Sequence, residues 1–465
     1  MHLRQFVLPG LGHISAVIAD DARGLAAVVD PRRDVDIYLA EARARDLRIS
    51  HVFETHLHND YVSGARELSA LTGAVHVIGA GAGLSGAFLG VRDGDIVDVG
   101  SLRFTALETP GHTPEHVSYA VADRSRAEEP ATLFTGGSLL VGAVGRTDLL
   151  GARNARPFAR AMFASLHEKL LLHHDHVTVL PTHGAGSLCS KSISSTPIST
   201  LGYERRHNPL LQVDEVEAFV DALLRDQPAY PRYFARMRAT NQAGPRPIGS
   251  LPGPRPLSPE HVQELLAGEG LLVDLRPPAD HAVAHVPGSV SVPAGESFGT
   301  WLGWVVDPDR PLVLLLERPD DWDDAIRQAL RVGFEHVVGH LQGGFPRWEE
   351  SGAPVESSGR LTVGQLHELL AGPPGREAPL VVDVRQADEY ARAHVPGSLH
   401  LMAGDLPARL AELPHGRAVA AICASGYRSS IAASLLRRAG FADVALVAGG
   451  VPAWRAAGFP VEVGA

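Results

Sequence analysis

The chain has 465 residues, 45% of them hydrophobic, 20% charged and 6% aromatic, a composition that excludes a disordered or fibrous protein and calls for more than one globular domain. Lysine and arginine number 42 against 53 aspartates and glutamates, and the formal charge of −11 argues against nucleic acid or an anionic membrane surface as a partner. No apolar run approaches the roughly eighteen residues of a membrane span, and the opening MHLRQFVLPGLGHISAV lacks the charged-then-apolar order of a signal peptide, which predicts a cytoplasmic protein.

Short apolar runs at 15–19, 26–29, 51–54, 75–78, 102–107 and 177–180 read as strands, and helical periodicity appears at 35–45 and 155–172. The first 240 residues are therefore expected to form a mixed α/β layered domain. Two stretches dense in Pro, Gly and Ser, 241–256 and 351–360, read as linkers because proline continues neither helix nor central strand. They divide the chain into 1–240, a linker at 241–256, 257–356 and 357–465.

The last two pieces repeat each other. LVDLR (272–276) recurs as VVDVR (381–385), AHVPGS (284–289) recurs at 393–398, and GGFPRW (343–348) returns as GGVPAW (449–454). Three ordered matches mark a duplicated domain rather than a short-period solenoid. Each copy opens on an apolar run ending in Asp-x-Arg and alternates short apolar runs with amphipathic ones, as buried parallel strands and helices do.

Histidines gather where strand-like runs of the first domain end. In ETHLHNDY (54–61), His56, His58 and Asp60 alternate at period two, so all three can face one side and converge on a cation. TPGHTPEH (109–116) adds His112, and LPTHGAG (180–186) adds His183. Cys189 follows six residues later in GSLCSK (186–191), readable as a small buried hydrophobe or as a sulfur-accepting thiol with Lys191 nearby to favour its thiolate.

The remaining cysteine lies in AAICASGYRSS (420–430), which reads as strand, tight loop and helix. Cys423 would sit at the carboxyl end of a buried strand, facing a helix N-terminus whose free N–H groups favour an anionic sulfur. Gly426 lets the loop curl around it, and Arg428 adds a permanent cation. In the middle copy Leu316 or Glu317 falls opposite Cys423, so that copy has no nucleophile and is expected to serve structure or docking.

Residues 1–240 resemble the metallo-β-lactamase superfamily through HxHxD, GHT and PTHG, which implies an αββα sandwich with metal at one edge. THLHNDYVSG (55–64) and GRTDL (145–149) are similar to the persulfide dioxygenase branch, a relative of glyoxalase II. That resemblance implies one Fe(II) per chain, with zinc as the alternative, held by His56, His112 and a carboxylate from a TGD turn, with Arg146 at the substrate. The chain departs from the pattern at Gly137, where the turn reads TGG, and at Tyr61, which replaces a second-site histidine. His58, Asp60, His183 and Ser138 are the groups available to compensate.

The final segment resembles the rhodanese family through Asp383, Arg385, AHVPGS and GGVPAW. This implies two parallel-sheet α/β rhodanese-like domains after the sandwich, the first inactive. By the same resemblance Cys423 takes up a sulfane sulfur and passes it on, Ala424, Ser425, Gly426 and Tyr427 cradle it, and Asp383 and Arg385 face the substrate. The whole order resembles fused persulfide dioxygenase/sulfurtransferases, implying a small thiol persulfide, sulfite and thiosulfate as reactants and a homo-oligomer as a family-level expectation. A glyoxalase II-like thioester hydrolase, and a silent metal domain that only binds a persulfide or partner, stand as the other two readings.

Overall fold

A computed structural model of the protein describes residues 1–372 and 377–464. The expected final boundary at 465 lies outside the described residues. The chain divides into two compact units, one built on Met1–Leu251 with Leu330–Gly333, the other on Pro252–Ala329 and the described residues from Phe334 on.

In the first unit two six-stranded sheets face each other. One runs His2–Leu8, His13–Asp20, Leu25–Val29, Arg48–Phe53, Val75–Gly79, Leu89–Val91; it is antiparallel over the first three strands and parallel beyond. The other runs Ser199–Thr200, Thr178–Pro181, Thr132–Gly136, Val117–Asp123, Leu102–Glu108, Ile96–Val99. Ile18, Val29, Phe53 and Val77 of one sheet meet Phe104, Tyr119, Phe134 and Leu180 of the other. Phe53 stacks on Phe104 with centroids 4.1 Å apart, and burying such a side chain contributes about 1.5–3 kcal/mol.

Helices cover both outer faces. Asp36–Ala44 and Ala65–Thr72 bury Tyr38, Ala42 and Leu68 against the first sheet, while Ala152–Glu168 and Val216–Leu224 bury Ala159, Met162, Leu166, Phe219 and Leu223 on the second. The result is an αββα sandwich. The stretch expected as a linker from 241 opens inside the packed structure: helix Phe234–Ala243 runs into it. Buried Asn241 donates to the carbonyls of His58 and Tyr61, both at 2.9 Å, and accepts from Ser63 N, so its amide satisfies the backbone of the histidine loop.

The second unit holds two five-stranded parallel sheets. Their orders are Pro256–Leu257, Val337–Leu341, Leu312–Leu315, Leu271–Asp274, Val290–Ser291 and Gly359–Leu361, Val444–Val447, Val419–Ile422, Leu380–Asp383, Leu399–His400. The duplication extends to the tails: His285 pairs with Glu356 as His394 pairs with Glu462, and the indoles of Trp348 and Trp454 donate to Pro354 O and Pro460 O. The 351–360 stretch is thus no free linker: through Ser358 it folds back on the first copy, and from Gly359 it is the edge strand of the second.

Helix Tyr427–Arg438 is buried at every residue from Ser429 to Leu436, because the first copy packs on the side its own sheet leaves open. Ser291 Oγ lies 2.7 Å from Ser430 Oγ, Ser291 N donates to Ser434 Oγ at 3.0 Å, and Tyr427 Oη donates to Pro293 O at 3.0 Å. Small serines permit this close approach, and each hydroxyl finds a partner.

Candidate active sites

Three strand ends of the sandwich deliver His56, His112 and His183 to one place, where their ligand atoms lie within 4.8 Å of one another. Asp60, His183 and Cys189 form a second such group. All five side chains are buried. His112 Nδ1 donates to Arg146 O at 2.7 Å, and His56 Nδ1 donates to Thr55 Oγ1 at 2.8 Å while that hydroxyl donates to Asp30 Oδ2 at 2.8 Å. Both rings therefore present Nε2 inward, and neither Nε2 has a hydrogen-bond partner.

The same holds for both nitrogens of His183 and both carboxylate oxygens of Asp60. Each unsatisfied buried polar group costs about 1–3 kcal/mol. A divalent cation among them removes that penalty, so the residues present fit a metal. Burial and its histidine neighbours hold His56 well below its ordinary pKa; burial and His183 hold His112 down at about 3, leaving both rings as neutral donors. Burial alone would raise Asp60, but facing His183 draws it to about 2.

Several expected roles fall elsewhere. His58 contributes to neither donor group; its Nε2 lies 3.3 Å from Asp30 Oδ1 and 3.8 Å from Glu54 Oε1, and its ring stacks on Tyr61. Arg146, expected at the substrate, is 2% exposed and spent: it grips Asp148 through two hydrogen bonds and donates to Leu188 O and Pro228 O. Lys191 reaches Arg225 O rather than Cys189. Gly137 does more than lack a carboxylate, since a Cβ there would lie 2.2 Å from His112 Cδ2. Ser138 is turned to His116, its Oγ 3.2 Å from Nδ1.

Asp30 escaped the sequence reading, although it accepts from Thr55 N, Thr55 Oγ1 and Thr182 Oγ1 and so ties the His56 loop to the His183 loop. Its left-handed φ of 49°, at a strand end before Pro31, is the structural trace of this special position.

In the second unit Cys423 is buried at the end of Val419–Ile422, and Gly426 N donates to its Sγ at 3.1 Å. Gly426 caps the helix with φ 107°, which turns its N–H back on the sulfur. Arg428, read from the sequence as a permanent cation beside Cys423, is paired with Glu389 through hydrogen bonds of 2.5 and 2.9 Å. Ala424, Arg385, Glu389, Arg392, Val451 and Arg455 line an open groove of about 530 Å³ beside the loop.

Asp383 is fully buried and bonded to Arg385, which also donates to Ala393 O. Asp274, Arg276 and Ala284 O repeat that arrangement in the copy without a cysteine, so the Asp-x-Arg pair is a fold element common to both. Arg385 lines the groove with what it has left. Ser425 is exposed at the loop tip, and the Tyr427 side chain is turned to the neighbouring copy. Since Asp274 pairs with Leu315 where Asp383 pairs with Ile422, the register places Leu316 opposite Cys423.

The profile of the Metallo-beta-lactamase superfamily matches residues 9–183, and that of the Rhodanese-like domain matches 258–351 and 362–457. A crystal structure of a metallo-beta-lactamase from Staphylococcus aureus subsp. aureus COL is 30% identical with a TM-score of 0.66, covering 73% of this chain and 98% of that one. The persulfide dioxygenase ETHE1 of Bos taurus is 29% identical over 229 residues, 48% of this chain and 80% of that protein. A hydroxyacylglutathione hydrolase of Dictyostelium discoideum is 27% identical over 143 residues, 30% of this chain and about half (53%) of its own length.

The chain belongs to the metallo-β-lactamase superfamily. Its superfamily domain is ETHE1-like and is followed by two rhodanese-like domains, an architecture that supports a place in sulfur metabolism. Among the described residues no helix is long and apolar enough to cross a membrane.

Proposed function

We propose that the chain is a sulfurtransferase working through Cys423, coupled to a metal-dependent persulfide-oxidising domain at 1–240, with 257–356 as a non-catalytic copy and 357–465 as the active one. The observation that carries this reading is the Gly426 N–H aimed at Cys423 Sγ from the N-terminus of helix Tyr427–Arg438. A thiolate there attacks the outer sulfur of thiosulfate; the S–S bond breaks, sulfite leaves with its electron pair, and Cys423 keeps the sulfur as a persulfide. A second thiophile then attacks that outer sulfur and restores the thiolate. Loop N–H groups hold the anionic sulfur in both steps, and Arg385, Arg392 and Arg455 of the groove draw anions toward it.

In the sandwich, His56, His112 and His183 would hold the metal, with Asp60 beside the shared His183, iron in this reading with zinc as the alternative. When bound, the metal supplies oxygen activation for converting a small-thiol persulfide, oxygen and water into the thiol and sulfite. Asp30 and Thr55 fix the His56 ring, Arg146 O fixes His112, and the buried surroundings keep bulk water out. The lack of room for a bridging carboxylate at Gly137 counts against a glyoxalase II-like thioesterase. Thiosulfate-dependent sulfur transfer by Cys423→Ser tests the first activity, and oxygen uptake by the iron-loaded Cys423→Ser chain given a small-thiol persulfide tests the second. Retention of transfer by the variant, or an absence of uptake with iron bound, would overturn the respective half.

A further inference from the structure

We propose that Cys189 is a thiolate ligand of the metal in the sandwich, standing in for the carboxylate that Gly137 cannot carry. This rests on the reading that the first unit holds a divalent metal, and adds to it a ligand and a donor chemistry.

The displaced carboxylate is a matter of space. The His112 ring occupies the volume that a side chain at Gly137 would need, 2.2 Å from the site of its Cβ. Three neutral imidazoles alone would leave both charges of the ion uncompensated in a buried site, which is costly. Two acids lie within reach of the shared histidine: Asp60 and Cys189, whose ligand atoms and those of His183 fall within 4.8 Å of one another. Both Asp60 oxygens are buried without a hydrogen-bond partner, as are both His183 nitrogens. Asp60 Oδ2 and His183 Nδ1 face each other at 3.3 Å, while Asp60 Oδ1 and His183 Nε2 have no partner of either kind, and these two atoms independently point to an ion beside the sulfur.

Cys189 is also held in place with the histidines. Arg146 N donates to Cys189 O at 2.8 Å, while Arg146 O accepts from His112 Nδ1 at 2.7 Å and the Arg146 guanidinium donates to Leu188 O at 2.9 Å. One residue thus fixes the backbone of the thiol and the ring orientation of His112. Ser187 Oγ accepts from Cys189 N at 3.1 Å, and Ser187 itself packs so tightly on Gly12 that a Cβ there would lie 2.0 Å from its nitrogen.

On binding, the thiol gives its proton to solvent and the sulfur donates an electron pair to the ion, so one proton is released per Cys189–metal bond. Asp60 and the Cys189 thiolate then balance the ion's two charges. A thiolate adds a soft, charged donor to the imidazoles and carboxylate, which either the iron of this reading or its zinc alternative accepts.

The chain has two cysteines, so Cys423→Ser leaves Cys189 as its sole thiol. That full-length variant, loaded separately with Co(II) and Zn(II), is expected to show a near-ultraviolet thiolate-to-cobalt charge-transfer band and a sulfur scatterer about 2.3 Å from zinc by X-ray absorption. Adding Cys189→Ser should remove both signals and weaken metal binding by at least about 10-fold. Cys189→Asp should retain the metal without the sulfur signals. A stoichiometric metal with neither signal in the sole-thiol protein would overturn the proposal, whatever the fate of the Cys189 variants. Failure of that protein to take up any metal would instead overturn the reading on which the proposal stands.

Discussion

Glu389 holds Arg428 in a two-pronged ion pair, 2.5 and 2.9 Å long, beside the Cys423 loop. Burial would raise the Glu389 carboxyl, but the hydrogen bonds and charge of Arg428 outweigh it and hold the group below its ordinary value. A lowered carboxylate contributes stability that is fully present above the unfolded glutamate value of about 4.3 and is lost as pH falls through the folded one. Glu389→Gln should therefore flatten the acid-side decline of stability, read as urea midpoints across pH. An unchanged slope would mean that the pair contributes nothing to folding.

Returning an aspartate to position 137 is expected to harm the protein rather than repair it. Gly137→Asp must push the His112 ring away, an overpacking cost of about 1–3 kcal/mol, and so lose metal as well as stability. Thermal unfolding together with metal stoichiometry checks this. A stable variant with increased metal content would show that His112 moves aside freely.

Installing a thiol opposite Cys423 should not revive the middle copy. Helix Asp321–Arg331 carries Asp321, Asp323 and Asp324 in its first turn, whereas Tyr427–Arg438 carries no acid there. Acids at a helix N-terminus repel an anionic sulfur. Leu316→Cys with Cys423→Ser should remain at least about 10⁴-fold below the parent in sulfur transfer, as loss of a nucleophile dictates. Substantial recovered transfer would contradict the electrostatic assignment.

Tyr427→Phe removes one hydrogen bond, that to Pro293 O, and should lower stability by about 0.5–1.5 kcal/mol while leaving sulfur transfer near parental. Denaturant midpoints and initial rates measure the two effects. Loss of transfer at full stability would instead place the hydroxyl at the substrate.

The repeat was legible because both copies keep the residues their shared fold requires. Asp274 and Asp383 bind their arginines in the same way, and the two tryptophans close the same tails. Histidines at strand ends were legible for a similar reason, since the strand before each is an apolar run. Strands Val117–Asp123 and Thr132–Gly136 were not, because they are buried along their full length and so show no alternation. Nor could spacing reveal that Asp30 joins two histidine loops, that Arg146 turns inward, or that Glu389 takes Arg428. Each depends on which loops the sheets bring together.

The serine contacts along helix Tyr427–Arg438 bear on how the chain could have evolved after its duplication. With Ser430 and Ser434 resting on Ser291, the first copy can lack a nucleophile yet not be dispensed with, since its removal would bare a polar-lined seam on the helix that follows the Cys423 loop. The silent copy is retained as part of its sister's interior.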